Sequence, residues 1–295
     1  MIRWLAMLSV LVAGCVPAST PVRSGRPMRI VSLDYCADQY VLKLVGRDRI
    51  AAVSPDAAAE FSYMRAAAQG VRQVRPQAED VLLLKPDLIV RSYGGGPNAA
   101  ALFARAGVPV LQLGYAADLA SIRKVLVDTA TGLGERAEGE AMAAAFDARL
   151  ARLKRAATGR SALYVTPGGV TTGPGSIVDE MLRAGGLVNF QTAAGWGPLP
   201  LEQLAYARPD VVAAAFFDTR WNRPDPWSAA AHPVVGRALR GVPTAELPGA
   251  WTACGGWFVL DAVERLSRIA HPHPSGATRL PPSPNGRGKG EGGER

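Results

Sequence analysis

A seven-residue step occurs twice in this chain and limits what it can fold into. Glu79-Asp80 runs through Val81 and three leucines to Lys85-Pro86-Asp87 and then Leu88-Ile89-Val90; 123 positions later Glu202-Gln203 runs to Arg208-Pro209-Asp210 and then Val211-Val212. In each copy a Glu stands seven residues ahead of a Pro, and the Pro-Asp pair leads straight into an apolar, β-branched run. Proline cannot continue a helix, and Val/Ile runs suit strands covered on both faces. Each copy therefore predicts a short helix, a stop and a buried parallel strand. A second echo, Gly107-Val108-Pro109-Val110 against Gly241-Val242-Pro243-Thr244, places a further strand later in each half. The expectation is two related α/β lobes with parallel sheets, facing each other across a cleft.

The rest of the pattern fits around this repeat. Strands are predicted at Arg29–Leu33, Arg49–Ser54, Leu88–Ser92 and Val108–Leu113, with a loop at Asp34-Tyr35-Cys36 and a helix from about Asp38 to Val45. Strand and helix in alternation imply a sheet covered on both faces. From Asp118 to about Ala157 the apolar residues fall at three- and four-residue steps, so the chain turns helical, with Gly132 and Gly134 breaking it in two. The second piece, from about Glu135 to Ala156, is long enough to serve as a stiff connection. Beyond it lie a strand at Ser161–Thr166, a Gly-rich loop over 167–176, and a helix Ile177–Ala184 opened by Ser176 with Asp179 three residues on. A helix at Leu201–Ala207, a strand at Val211–Phe217 and a last helix at about Gly256–Ile269 follow.

With 295 residues, 48% of them hydrophobic, the chain can fill two ordinary cores. The net charge of +8 comes from arginines scattered among Ala and Gly rather than gathered in one stretch, so nucleic acid is not the expected partner. A mild positive field favours an anionic ligand. Residues 1–15 carry one Arg and an apolar stretch too short to span a bilayer, which reads as an export signal. Its end, Val12-Ala13-Gly14-Cys15, resembles a bacterial lipobox, with Cys15 the lipidated residue; cleavage near Ala18, discarding Cys15, is the alternative. Residues 16–27, rich in Pro, Ser and Thr, read as a flexible tether, and 271–295, rich in Pro, Gly and charge, as a disordered tail. The organisation expected between them is a first lobe over 28–132, a connecting helix over 133–158 and a second lobe over 159–270.

Taken together, Arg-Ile-Val-Ser-Leu at 29–33, the two Glu-x6-Pro-Asp steps, Gly-Val-Pro-Val at 107–110 and the long helix resemble the periplasmic substrate-binding proteins of ATP-driven importers for cobalamin, ferric siderophores and haem. The likeness covers about residues 28 to 270. It implies two Rossmann-like lobes joined by one long helix, with a metal chelate held between them. It also implies a monomer with no cofactor of its own, delivering its cargo to an ABC permease in the inner membrane from a periplasmic site, held there by a lipid anchor or soluble. By position, Glu79 and Glu202 correspond to the family's permease-docking glutamates. Each also lies in the first turn of a helix opened by a proline, Pro76 or Pro200, where a carboxylate gains about 0.3 to 1 kcal/mol from the helix dipole.

Cobalamin-binding members place an aromatic six residues before each of these glutamates; here Trp196 holds that position in the second half, but Gln73 holds it in the first. That departure favours a siderophore or another chelate over cobalamin. Haem needs an axial ligand, and Tyr35 and Tyr93 lie in loops expected at strand ends. Since ligands in α/β sheets gather at the carboxyl ends of strands, the candidate contacts are Asp34, Tyr35, Cys36, Ser92 and Tyr93 from the first lobe. Thr166, Thr172, Trp196, Asp218, Arg220 and Trp251 are the candidates from the second. Any of these side chains would equally serve as ordinary packing in a cleft wall.

Cys36 and Cys254 remain in the body, one per lobe, and reduced, partly buried thiols are expected because a bond across a cleft would lock it. An exported hydrolase on an α/β scaffold is the rival reading. It finds no Gly-x-Ser-x-Gly elbow, no His-Glu-x-x-His and no Cys-x-x-Cys in the chain. One body histidine, His232, also argues against a bare metal site built from imidazoles. A purely structural lipoprotein would leave the repeated glutamates without a purpose.

Overall fold

The computed structural model describes residues 25–153, 157–216 and 227–272. The chain divides into two compact units. One takes residues up to Tyr115 with Arg123–Ala143, the other Ala116–Ile122 with residues from Ala144 onward.

The first unit holds β1 (Ile30–Ser32), α1 (Tyr35–Leu44), β2 (Ile50–Ala52), α2 (Ala78–Leu82), β3 (Leu88–Arg91), α3 (Ala99–Arg105) and β4 (Val110–Gln112). Its four strands are all parallel, in the order β2-β1-β3-β4. Every residue of β1 and β3 is buried, as a sheet covered on both faces requires. Val31, Leu33, Ile89 and Phe103 centre the core.

Helices α4 (Leu119–Gly132) and α5 (Arg136–Leu153) follow, and both are shared between the units. Leu119, Ile122 and Phe146 belong to the second core, while Leu126 and Ala130 belong to the first unit. The break between them falls where the two glycines predict it: Gly134 adopts φ +77, open to glycine at no steric cost, and the Glu135 amide donates back to the Ala130 carbonyl at 2.7 Å. The Glu135 carboxylate then pairs with Arg26 and with the buried Arg49.

The second unit contains β5 (Ser161–Val165), β6 (Val170–Thr172), α6 (Ile177–Ala184), β7 (Val188–Asn189), β8 (Trp196–Pro198), α7 (Leu201–Tyr206), β9 (Val211–Phe216), α8 (Pro233–Ala238), β10 (Thr244–Pro248), α9 (Gly249–Thr252) and α10 (Val259–Ala270). Its main sheet is parallel, in the order β7-β5-β9-β10. With the antiparallel hairpin β6–β8 set aside, both sheets read second, first, third, fourth strand. The repeat seen in the sequence is therefore a repeat of topology.

The Pro-Asp pairs explain how the repeat works. Each aspartate starts the third strand of its unit and latches the first strand beside it. The Asp87 carboxylate accepts the amides of Met28 and Arg29 at 2.8 and 2.9 Å. Asp210 accepts the Ser161 amide and hydroxyl at 2.7 and 2.9 Å. In both units the aspartate's own amide donates to the facing carbonyl, Arg29 or Ser161, at 3.0 Å.

Three local expectations need correcting. Helix α1 begins at Tyr35 rather than near Asp38, because Asp34 is its N-cap and the residues after it are already helical. The stretch over 167–176 is not all loop: it contains β6, whose partner β8 lies far along the chain and leaves no local trace. Pro76 does not open α2, whose N-cap is Gln77, whereas Pro200 does cap α7. The Ser176 cap stands as expected, its hydroxyl accepting the Asp179 amide at 3.1 Å. Among the described residues, no helix is long and apolar enough to cross a membrane.

Candidate functional site

In the first unit the strand order reverses between β1 and β3, the point where open α/β sheets bind ligands. Asp34 follows β1 and is 3% exposed. Its Oδ1 accepts the Ala37 amide at 3.0 Å and so caps α1. Its Oδ2 accepts three successive amides beyond β3, those of Ser92, Tyr93 and Gly94, at 2.7, 3.0 and 2.9 Å. A run of amides of this kind is an anion cradle, and here the chain supplies the anion. Both oxygens are spent inside the protein, so Asp34 acts by positioning what stands next to it.

What stands next to it is a pair of tyrosines. Tyr35 opens α1 and Tyr93 lies in the loop after β3; their rings meet edge-on with centroids 5.9 Å apart. Phe61 also meets Tyr35 edge-on, with centroids 4.9 Å apart. Tyr35 and Phe61 are half-buried, while Tyr93 is 53% exposed. Burial raises the Tyr35 phenol above its ordinary range, and the Asp34 and Asp56 carboxylates push it the same way. Tyr93 is raised by burial first, then by Tyr35 and the same carboxylates. Both phenols therefore hold their protons at neutral pH.

The surroundings of the pair were not visible in the pattern of residues. Phe61 sits in a succession of turns with no periodicity, held by Gln39, which donates to the Ser62 hydroxyl at 3.0 Å and accepts the Met64 amide at 2.7 Å. Arg91 is buried at the end of β3 and donates to the Tyr93 and Gly96 carbonyls, both at 3.0 Å, which folds the glycine-rich loop. Gly94 is required there: a Cβ would lie 2.4 Å from the Leu33 carbonyl oxygen. Asp38, fully buried on α1, accepts from the Ser54 hydroxyl and amide at 2.6 and 3.1 Å, and burial pushes its carboxyl up to about 6.

Ser92 gives its amide to Asp34 and its carbonyl to Gln112. Cys36, half-buried on α1, and Cys254 are both disulfide-bonded, which corrects the expectation of reduced thiols. Oxidation is the ordinary fate of paired cysteines outside the cytoplasm, and it removes Cys36 as a thiol ligand.

In the second unit Trp196 on β8 faces Thr172 across the hairpin. Its ring stands edge-on to the buried Tyr164 with centroids 6.1 Å apart, and it is 56% exposed. The two threonines are buried and occupied: the Thr172 hydroxyl donates to the Gly195 carbonyl at 3.1 Å, and that of Thr166 closes the turn before β6 through Val170. Trp251, on α9, is half-buried against the core. Asp218 and Arg220 lie outside the described residues, as does Cys15.

Glu79 and Glu202 are exposed in the first turns of α2 and α7. His232 caps α8, its Nδ1 accepting the Val234 amide at 3.2 Å. Among the described residues, no group of three or more His, Cys, Asp or Glu side chains is arranged to hold a bare metal ion.

Residues 30–220 match the family model described as periplasmic binding protein. Among solved structures, a periplasmic heme binding protein from Pseudomonas aeruginosa is 25% identical, covering 83% of this chain and 93% of its own, with a TM-score of 0.66. The periplasmic vitamin B12 binding protein BtuF of Vibrio cholerae is 21% identical over 84% and 99% of the two chains, with a TM-score of 0.62. The periplasmic heme binding protein HutB of Vibrio cholerae is 17% identical over 83% and 99%, with a TM-score of 0.69. No curated protein sequence matches the chain.

Proposed function

This chain belongs to the periplasmic binding protein family, and on that footing we propose that it is the receptor of an ATP-driven importer, taking up a ferric, haem-like chelate and passing it to a membrane permease. The observation that carries the chelate is the Tyr35–Tyr93 pair, held by Asp34 at the switch point of the first sheet with half of Tyr93 open to solvent. A phenolate is a hard oxygen ligand suited to Fe(III), and tyrosine is one of the axial ligands that haem iron accepts. On binding, the Tyr93 O–H bond breaks, its proton leaves to water and an O–Fe bond forms. Phe61 and Tyr35 supply flat apolar surface beside that bond.

The 25% identity to a heme-binding protein supports the same reading. Gln73, where a second aromatic would be wanted, weighs against a corrin. Glu79 and Glu202 are the acidic contacts to the permease, and Cys15 is the lipidated residue that keeps the receptor at the membrane.

Titration of the purified protein with haemin, cyanocobalamin and a ferric catecholate, read by absorbance, tests the proposal. Haemin should bind in one step with the charge-transfer band of a ferric phenolate, and Tyr93→Phe should abolish that band. Binding of cyanocobalamin or the catecholate in place of haemin would overturn the haem reading.

A further inference from the structure

Glu79 and Glu202 account for the charge on the two repeat helices but not for what stands one turn beyond each. Leu83 is 79% exposed and Tyr206 is 94% exposed, and each lies four residues after its glutamate. Tyr206 is the last residue of α7. Leu83 caps α2 with helical backbone angles, its amide donating to the Glu79 carbonyl at 3.3 Å. Residues four apart share a helix face, so each unit presents an acid and a large apolar side chain together.

Folding does not ask for this. The buried positions of the two helical segments are filled by Val81 and Leu84 in one copy and by Leu204 in the other. A position facing water on a surface helix ordinarily carries a polar residue. One exposed leucine needs no explanation. The same exposure at the same repeat position in both halves, beside the same acid, does.

We infer that Leu83 and Tyr206 are paired apolar anchors, each seating its unit in one of two equivalent sites on a membrane permease that offers a basic side chain beside an apolar pocket. The inference rests on the receptor reading above and adds to it the source of affinity. A charge at the rim speeds encounter and sets orientation, whereas a desolvated leucine or tyrosine holds the complex and slows release.

A photoreactive benzophenone residue placed at 83 or 206 of the full chain, in cells of the source organism, provides the test. Irradiation should join both positions to the membrane subunit of an ATP-driven importer, identified by mass spectrometry, and should not do so from exposed Leu102 on α3. In vesicles carrying that importer, the double variant Leu83→Ser/Tyr206→Ser should stimulate ATP hydrolysis roughly tenfold more weakly at limiting receptor, a loss of about 1.4 kcal/mol in docking, with haemin titration unchanged. Normal stimulation by the serine variant, together with its loss in Glu79→Ala/Glu202→Ala, would overturn the inference and leave the receptor reading intact. Normal stimulation by the glutamate variant would overturn the docking itself.

Discussion

Asp34 and Gly94 lie 60 positions apart, yet the carboxylate of the first accepts the amide of the second at 2.9 Å, alongside the amides of Ser92 and Tyr93. That single buried oxygen ties the end of β1 to the end of β3 and fixes where Tyr93 stands relative to Tyr35. Asp34→Ala leaves four amides without their acceptor, three of them buried or partly buried around one point. The expected loss is about 3 kcal/mol or more, because hydrogen bonds to charge are the strong ones and unsatisfied amides add their own penalty. Urea unfolding checks it, and Asp34→Asn, which keeps one acceptor oxygen, should fall between. Haemin affinity should drop with the same order of severity, since the tyrosine pair loses its common anchor.

The two Pro-Asp latches predict equal effects in both units. Asp87→Ala and Asp210→Ala should each cost about 1 kcal/mol, the net worth of an ordinary hydrogen bond, trimmed by solvent screening at these exposed positions. Hydrogen bonds from the Ser161 amide and hydroxyl, with Arg160 nearby, hold the Asp210 carboxyl below the usual range. A depressed acid contributes stability above its unfolded value, about pH 4, and loses it as pH falls through the folded one. The gap between wild type and Asp210→Ala in urea should therefore narrow below about pH 4. A gap independent of acid would exclude the carboxylate as the source.

How much of this was legible in the residues follows from the range of the interactions. The repeat was legible because its signals are local: a proline stop, a β-branched run and a glutamate at fixed spacing. The Ser176 cap was legible for the same reason. Hairpin β6–β8 was not, since its strands pair across a separation that contains α6 and β7. The tyrosines are marked out by their place at strand ends. That Asp34 serves as their anchor, that Phe61 joins them and that Arg91 folds the loop all depend on contacts made only once the sheet has formed. Thr166 and Thr172 show the converse: hydroxyls at the right end of a strand, occupied by their own backbone.

The coordination proposed for Tyr93 carries a pH signature. Its phenol is raised above the ordinary tyrosine value, so binding Fe(III) must expel a proton throughout the neutral range. Metal binding that releases one proton strengthens by up to tenfold for each unit of rising pH. Haemin dissociation constants measured between about pH 6.5 and 8.5 should follow that slope in wild type and flatten in Tyr93→Phe. Tyr35→Phe should keep the slope with weaker binding, because Tyr35 acts through Tyr93. A slope unaffected by Tyr93→Phe would assign the iron to another ligand.

Asp38 sets a second pH dependence, of opposite sign to that of Asp210. Burial raises its carboxyl to about 6, and the hydrogen bonds from Ser32 and Ser54 offset only part of that rise. An acid whose folded value lies above its unfolded value of about 4 favours the fold while protonated; its contribution is complete below that lower value and is lost as pH rises through about 6. A rise of that size corresponds to roughly 2 to 3 kcal/mol withdrawn by neutral pH. Asp38→Asn keeps a neutral group of the same shape that can still accept the Ser54 amide, so it should escape the loss. Urea midpoints for the two proteins should therefore nearly coincide at about pH 4, diverge in favour of the variant up to about pH 7 and run parallel above it. Midpoints that stay parallel across the whole range would mean that Asp38 is ionised throughout, and that the buried charge is compensated by more than its serines.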